Sequence, residues 1–147
     1  MKSLGRPLFA LSILAVPLFA GALLLEVGNP ASNPEALRSH AVLVARITAC
    51  HSPEKTTVAA TAEGVLNGLR KSIPLKVLSL STAGTFAVAR EWPEQGTWVI
   101  KMVATNPDYK DYATSVVVPI HNDSVQLSAA KHYFHAPTDA EVSLALN

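Results

Sequence analysis

The chain has 147 residues, with 12 Lys/Arg against 11 Asp/Glu and a formal net charge of +1. From Asn33 onward ten basic residues balance ten acidic ones, which leaves neither a basic stripe for nucleic acid nor an acidic tail. The single cysteine, Cys50, excludes an internal disulfide framework, so stability must come from packing.

Leu8 to Leu25 is a run of eighteen residues without a charge, preceded by Lys2 and Arg6 and closed by Glu26. As a helix it would span roughly 27 Å, close to the hydrocarbon core of a bilayer. Its Leu, Ile, Val and Phe residues favour insertion by about 3–7 kcal/mol before Pro17, Ser12 and Gly21 are discounted. With the basic residues first, the amino end stays in the cytoplasm and the rest is exported, to a periplasmic or extracellular space. Two fates are open. Ala20-Gly21-Ala22 behind Pro17 is an A-x-A-like cleavage site, whereas Leu23-Leu24-Leu25 prolongs the run beyond a signal peptide's apolar region. Residues 1–25 thus read as a signal peptide or membrane anchor, 26–39 as a linker, and 40–147 as one domain.

Within the linker, Asn33-Pro34-Glu35 carries an N-cap, a proline at the first helical position and an acid in the first turn, which predicts a short helix over about 34–39. Ala41 to Thr48 reads as a strand and Ser52-Pro53-Glu54-Lys55 as a turn. Thr56 to Val65 places Val58, Ala60 and Ala62 on one face and Thr57, Thr61 and Glu63 on the other. Asn67-Gly68 signals a type I′ hairpin. A return strand over about 69–80 follows, with Pro74 marking an edge or bulge. Gly84-Thr85-Phe86-Ala87-Val88 and Gly96-Thr97-Trp98-Val99-Ile100 open two more strands around the turn Trp92-Pro93-Glu94-Gln95. On the second, Trp98, Ile100, Met102 and Ala104 share a face. Asn106-Pro107-Asp108 ends it. Thr114 to Ile120 is a strand, Asn122-Asp123 a tight turn, and Val125 to about Tyr133 a last strand. Thr138-Asp139-Ala140-Glu141 has capping-box spacing and predicts a helix over 139–146, with Val142 and Leu146 on one face. Six or seven strands without βαβ alternation predict an all-β antiparallel sandwich.

The run Gly84-Thr85-Phe86-Ala87-Val88, then Trp92-Pro93-Glu94-Gln95-Gly96-Thr97-Trp98-Val99-Ile100-Lys101, resembles the closing strands of small exported Ig-like domains. YtkA-like and FixH-like periplasmic domains share this pattern, often behind one N-terminal membrane segment. The resemblance covers about a third of the domain. It implies an Ig-like sandwich and, among such domains, roles in copper handling or respiratory assembly, or none known.

Cys50-His51 is the most reactive-looking pair, since thiolate and imidazole suit copper(I) or zinc, with a remote histidine as third ligand. The plainer reading is a strand-end cysteine packed in the core. His121, His132 and His135 form a loose group read as solvated. Asp108, Tyr109, Asp111 and Tyr112 crowd one loop but lack calcium-site spacing. Trp98 is expected in the core. Trp92, in a turn beside Pro93, is expected half exposed and is the preferred contact residue. The sequence carries no hydrolase, zinc-protease, P-loop or dinucleotide signature. The expectation is a non-catalytic accessory or interaction module of the cell envelope, with no cofactor. Its partner would be an envelope protein, with the membrane engaged through residues 8–25 if these are uncleaved. Metal handling through Cys50 and His51 is the alternative.

Overall fold

The structure is a computed structural model that describes residues 23–49, 52–109 and 112–147. The leader up to Ala22, the Cys50-His51 pair, Lys110 and Asp111 lie outside the described residues. Among the described residues no helix is long and apolar enough to cross a membrane.

Two antiparallel sheets face each other across a shared core. The first holds β1 (Leu24–Gly28), β2 (Ala41–Thr48), β6 (Thr85–Ala89) and β5 (Val77–Ser79), in the order β1-β2-β6-β5. The second holds β10 (Lys131–Tyr133), β8 (Ala113–His121), β7 (Thr97–Thr105), β3 (Thr57–Leu66) and β4 (Leu69–Pro74) in that order, with β9 (Ser124–Val125) paired to β8. Leu25, Leu43, Ala45 and Val88 from one sheet meet Ala62, Trp98, Ile100, Met102, Val116 and Val118 from the other.

Local chemistry explains most boundaries. Asn67 (φ 52°) and Gly68 (φ 76°) both have positive φ, as the β3–β4 type I′ hairpin requires, and Asn122 (φ 47°) and Asp123 (φ 62°) do the same for β8–β9. The face expected on β7 is the core face: Ile100, Met102 and Ala104 are fully buried and Trp98 nearly so. The side chain of Asn33 accepts hydrogen bonds from the backbone N–H groups of Glu35 and Ala36 and starts α1 (Pro34–Arg38). The backbone N–H and hydroxyl of Ser81 donate to Glu35 Oε2 at 2.9 and 2.8 Å and hold that carboxyl below the usual carboxylate range. Both halves of the Thr138–Glu141 capping box form at the start of α2 (Asp139–Ala145). Val142 of α2 packs on Val99 and Val117, on the outer face of the second sheet. This explains the apolar run Val116-Val117-Val118: alternate valines face the sandwich core and the helix.

Three expectations need correction. Leu24 and Leu25 are extended strand rather than the end of an apolar helix, pairing with β2 from Leu24↔Thr48 to Gly28↔Val44. Residues 26–39, expected as a linker, contain the rest of this strand, a 3₁₀ turn at Pro30–Ser32 and α1. The magnitudes favour the sheet. Leu23 and Leu25 are fully buried, and burying two leucines contributes about 3–6 kcal/mol. Adding three leucines to a membrane helix would gain only about 1–2 kcal/mol. Secondly, the return strand over 69–80 is two strands. After Pro74 the chain leaves the second sheet and Val77–Ser79 pairs with β6 in the first. Thirdly, the stretch from Val125 to Tyr133 is broken by a 3₁₀ turn at Leu127–Ala129 into β9 and β10.

Glu63, on the outer face of β3, is the most enclosed carboxylate of the second sheet. Lys101 Nζ lies 2.9 Å away, and the hydroxyls of Thr61 and Ser72 donate to Oε1 at 2.8 and 2.9 Å. Burial pushes this carboxyl up, but the three hydrogen bonds and the Lys101 charge outweigh it and hold it below the usual range. Glu63→Gln is therefore expected to lower stability by about 1–2 kcal/mol at neutral pH. A depressed folded pKa contributes fully above the unfolded carboxylate value, near pH 4.3, and is lost as pH falls through the folded one. Urea midpoints at pH 7 and about pH 3 should show the gap between wild type and variant closing in acid. A gap of equal size at both pH values would contradict the assignment.

Candidate functional site

One end of the sandwich gathers segments far apart in sequence. β2 ends there and β1 begins (Leu24 opposite Thr48), β7 ends opposite the starts of β3 and β8 (Thr105 opposite Thr57 and Ala113), and β10 ends opposite β8 (Tyr133 opposite Ser115). Asn106, only 3 % exposed, ties two of the loops together. Its Nδ2 donates to the Ser52 carbonyl at 2.9 Å and to Thr56 Oγ1 at 3.0 Å, while its Oδ1 accepts from the Asp108 N–H at 2.9 Å. Lys55 Nζ reaches Asp108 Oδ2 at 3.0 Å across the same pair of loops. The Asn-Pro-Asp turn read from sequence is thus also a brace between loops.

Beside this brace opens a cleft of about 570 Å³, lined by Asn106, Pro107, Tyr109, Tyr112, Ala113 and His135 among others. Phe134 follows β10 and is 62 % exposed, its ring centroid 6.2 Å from that of Tyr112. Burial pushes the Tyr112 hydroxyl up from its ordinary value. The segment carrying Phe134 is held on both sides. The Ser115 hydroxyl donates to the His135 carbonyl at 2.5 Å, and His135 Nε2 lies 3.1 Å from both carboxylate oxygens of Glu141 on α2. The Glu141 carboxyl also accepts from the Thr138 N–H, which together with His135 holds it below the usual range. The cleft is thus lined by residues of two braced loops, and an exposed large apolar side chain, Phe134, lies next to one of them, Tyr112.

The residues singled out from sequence fall differently. Trp92 is not half exposed. It is 4 % exposed and belongs to the core. The Arg90 guanidinium lies 5.6 Å from its ring centroid, donates to the Trp92 carbonyl and pairs with Asp123, which closes the corner over the indole. Trp92 Nε1 is buried with no hydrogen-bond partner among the described residues. Cys50 and His51 lie outside the described residues. The three histidines are not brought together: His132 Nδ1 contacts the Leu25 carbonyl at 3.2 Å, His135 pairs with Glu141, and His121 ends β8 on the surface. Among the described residues no group of three His, Cys, Asp or Glu side chains could hold a metal ion.

Phe134 and its neighbour Tyr112 are not among the contact residues that the sequence suggests. The one available signal was the aromatic density of Tyr109, Tyr112, Tyr133 and Phe134 around two prolines. Comparison with known proteins finds no matching family model, curated protein or solved structure.

Proposed function

We propose that this chain is an exported, non-catalytic interaction module of the cell envelope, an Ig-like sandwich that binds a protein partner at its loop end. The observation that carries the reading is Phe134. A phenylalanine 62 % exposed has its ring 6.2 Å from that of Tyr112, which lines the 570 Å³ cleft, and the next residue, His135, also in the lining, is held by Ser115 and Glu141. Large rigid aromatics of this kind anchor protein interfaces, because they bury much area with little side-chain entropy to lose. The charge-free run after Lys2 and Arg6 supports export. The resemblance to YtkA-like and FixH-like domains supports an envelope role of the same accessory kind.

Site-specific photo-crosslinking in cells tests this. A benzophenone side chain at position 134 is expected to give a discrete crosslinked product. The same probe at Leu37, an exposed leucine on α1, is expected to give none. Tyr112→Ala should weaken the product at position 134 at least fivefold. Absence of any product at 134, or equal products at both positions, would overturn the reading.

A further inference from the structure

We infer that the chain is cut between Ala22 and Leu23, and that Leu23 is the amino terminus of the working protein. The inference rests on the export reading above and decides between the two fates that the sequence leaves open.

Leu23 and Leu25 are fully buried in the sandwich core, and the residues from Leu24 onward pair with β2. Residues committed to a sheet cannot also complete a membrane helix. Once they are removed, the charge-free run shrinks to Leu8–Ala22, fifteen residues that include Ser12, Pro17 and Gly21. Such a run would span roughly 22 Å as a helix, against a hydrocarbon core of about 30 Å. The twelve residues from Leu8 to Phe19 match the apolar region of a signal peptide, which is about 7–15 residues long. Ala20 and Ala22 then supply the two small side chains that a signal peptidase requires, at the third and first positions before the cut.

Position in the fold points the same way. The chain enters β1 at the end of the sandwich that carries the cleft, with Leu24 opposite Thr48. No residue separates Ala22 from the buried Leu23, so a retained anchor would hold the loop end that carries the cleft against the bilayer. Cutting at Ala22 frees that end. The reaction is hydrolysis by an envelope signal peptidase. Water adds its oxygen to the Ala22 carbonyl, the C–N bond to Leu23 breaks, and Leu23 leaves with the proton on a new α-amine. In the folded domain Leu23 is buried, so the cut precedes the docking of β1.

The test is to express the full chain in an exporting bacterial host, fractionate the cells, and determine intact mass and amino-terminal sequence. The expected product lies in the soluble envelope fraction, begins Leu-Leu-Leu-Glu-Val and lacks residues 1–22. Ala22→Trp and Ala20→Leu change only residues that the expected product lacks and should each reduce this product at least tenfold, with uncut chain accumulating in the membrane fraction. Uncut wild-type chain in the membrane, with its domain open to external protease, would overturn the cleavage inference and leave export standing. Uncut chain in the cytosol would overturn both. A first residue other than Leu23, or normal processing of Ala22→Trp, would overturn the assigned site.

Discussion

Leu25→Ala should lower unfolding free energy by about 3–4 kcal/mol, a large share of the roughly 5–15 kcal/mol that holds a domain of this size. Leu25 is fully buried between the sheets, and its carbonyl is contacted by His132 from the edge strand of the opposite sheet. Truncation would remove its transfer free energy and leave a cavity that two braced sheets cannot close. Its neighbour Leu24 is 37 % exposed on the other face of the strand, so Leu24→Ala should change stability by less than about 1 kcal/mol. Urea unfolding of the two variants, with similar m-values, measures the contrast. Equal effects would mean that β1 does not pack with this register.

Gly64→Ala should cost about 3 kcal/mol, at the upper end of what overpacking in a core brings. A β-carbon at position 64 would lie 2.3 Å from Trp98 Cε3 and 2.4 Å from the Thr97 carbonyl oxygen. Gly64 and Trp98 are direct cross-strand partners on β3 and β7, so the indole fills the space of the missing side chain. Trp98 cannot swing away easily, because its Nε1 donates to the Gln95 carbonyl at 2.7 Å. Gly28→Ala is the control. A β-carbon there meets nothing within 4 Å, and stability should hold to within about 0.5 kcal/mol. Thermal unfolding with near-ultraviolet circular dichroism reads both the loss and any displacement of Trp98. An unperturbed Gly64→Ala variant would show that the indole is packed elsewhere.

The features legible in the chain are those whose cause is local. A type I′ turn needs positive φ at two consecutive residues, so Asn67-Gly68 and Asn122-Asp123 announced themselves. The capping box at Thr138 closes within four residues. The alternation of Trp98, Ile100, Met102 and Ala104 follows from the pleat alone. Trp92 misled for the complementary reason. Its sequence neighbours are those of a turn, but Arg90 and Asp123, the latter more than thirty positions away, close over it. Phe134 misled in the other direction. The last strand is expected to end near Tyr133 and does, but nothing local tells that the next side chain, Phe134, is left on the surface beside Tyr112.

By itself the sequence determined an all-β chain of hairpins, its inward faces and its caps, because hydrophobic period, turn dihedrals and N-caps act over a few residues. Only the tertiary structure decided that the chain changes sheets after Pro74 and that the loops after β7 and β10 meet around one cleft, with Asn106 tying the first of them to the loop after β2. It alone also decided that Leu23 to Leu25 belong to the domain. Three leucines in a row are equally apolar to a bilayer and to a sandwich. Which of the two takes them depends on whether a partner strand and a core are waiting, and that is a property of residues far along the chain.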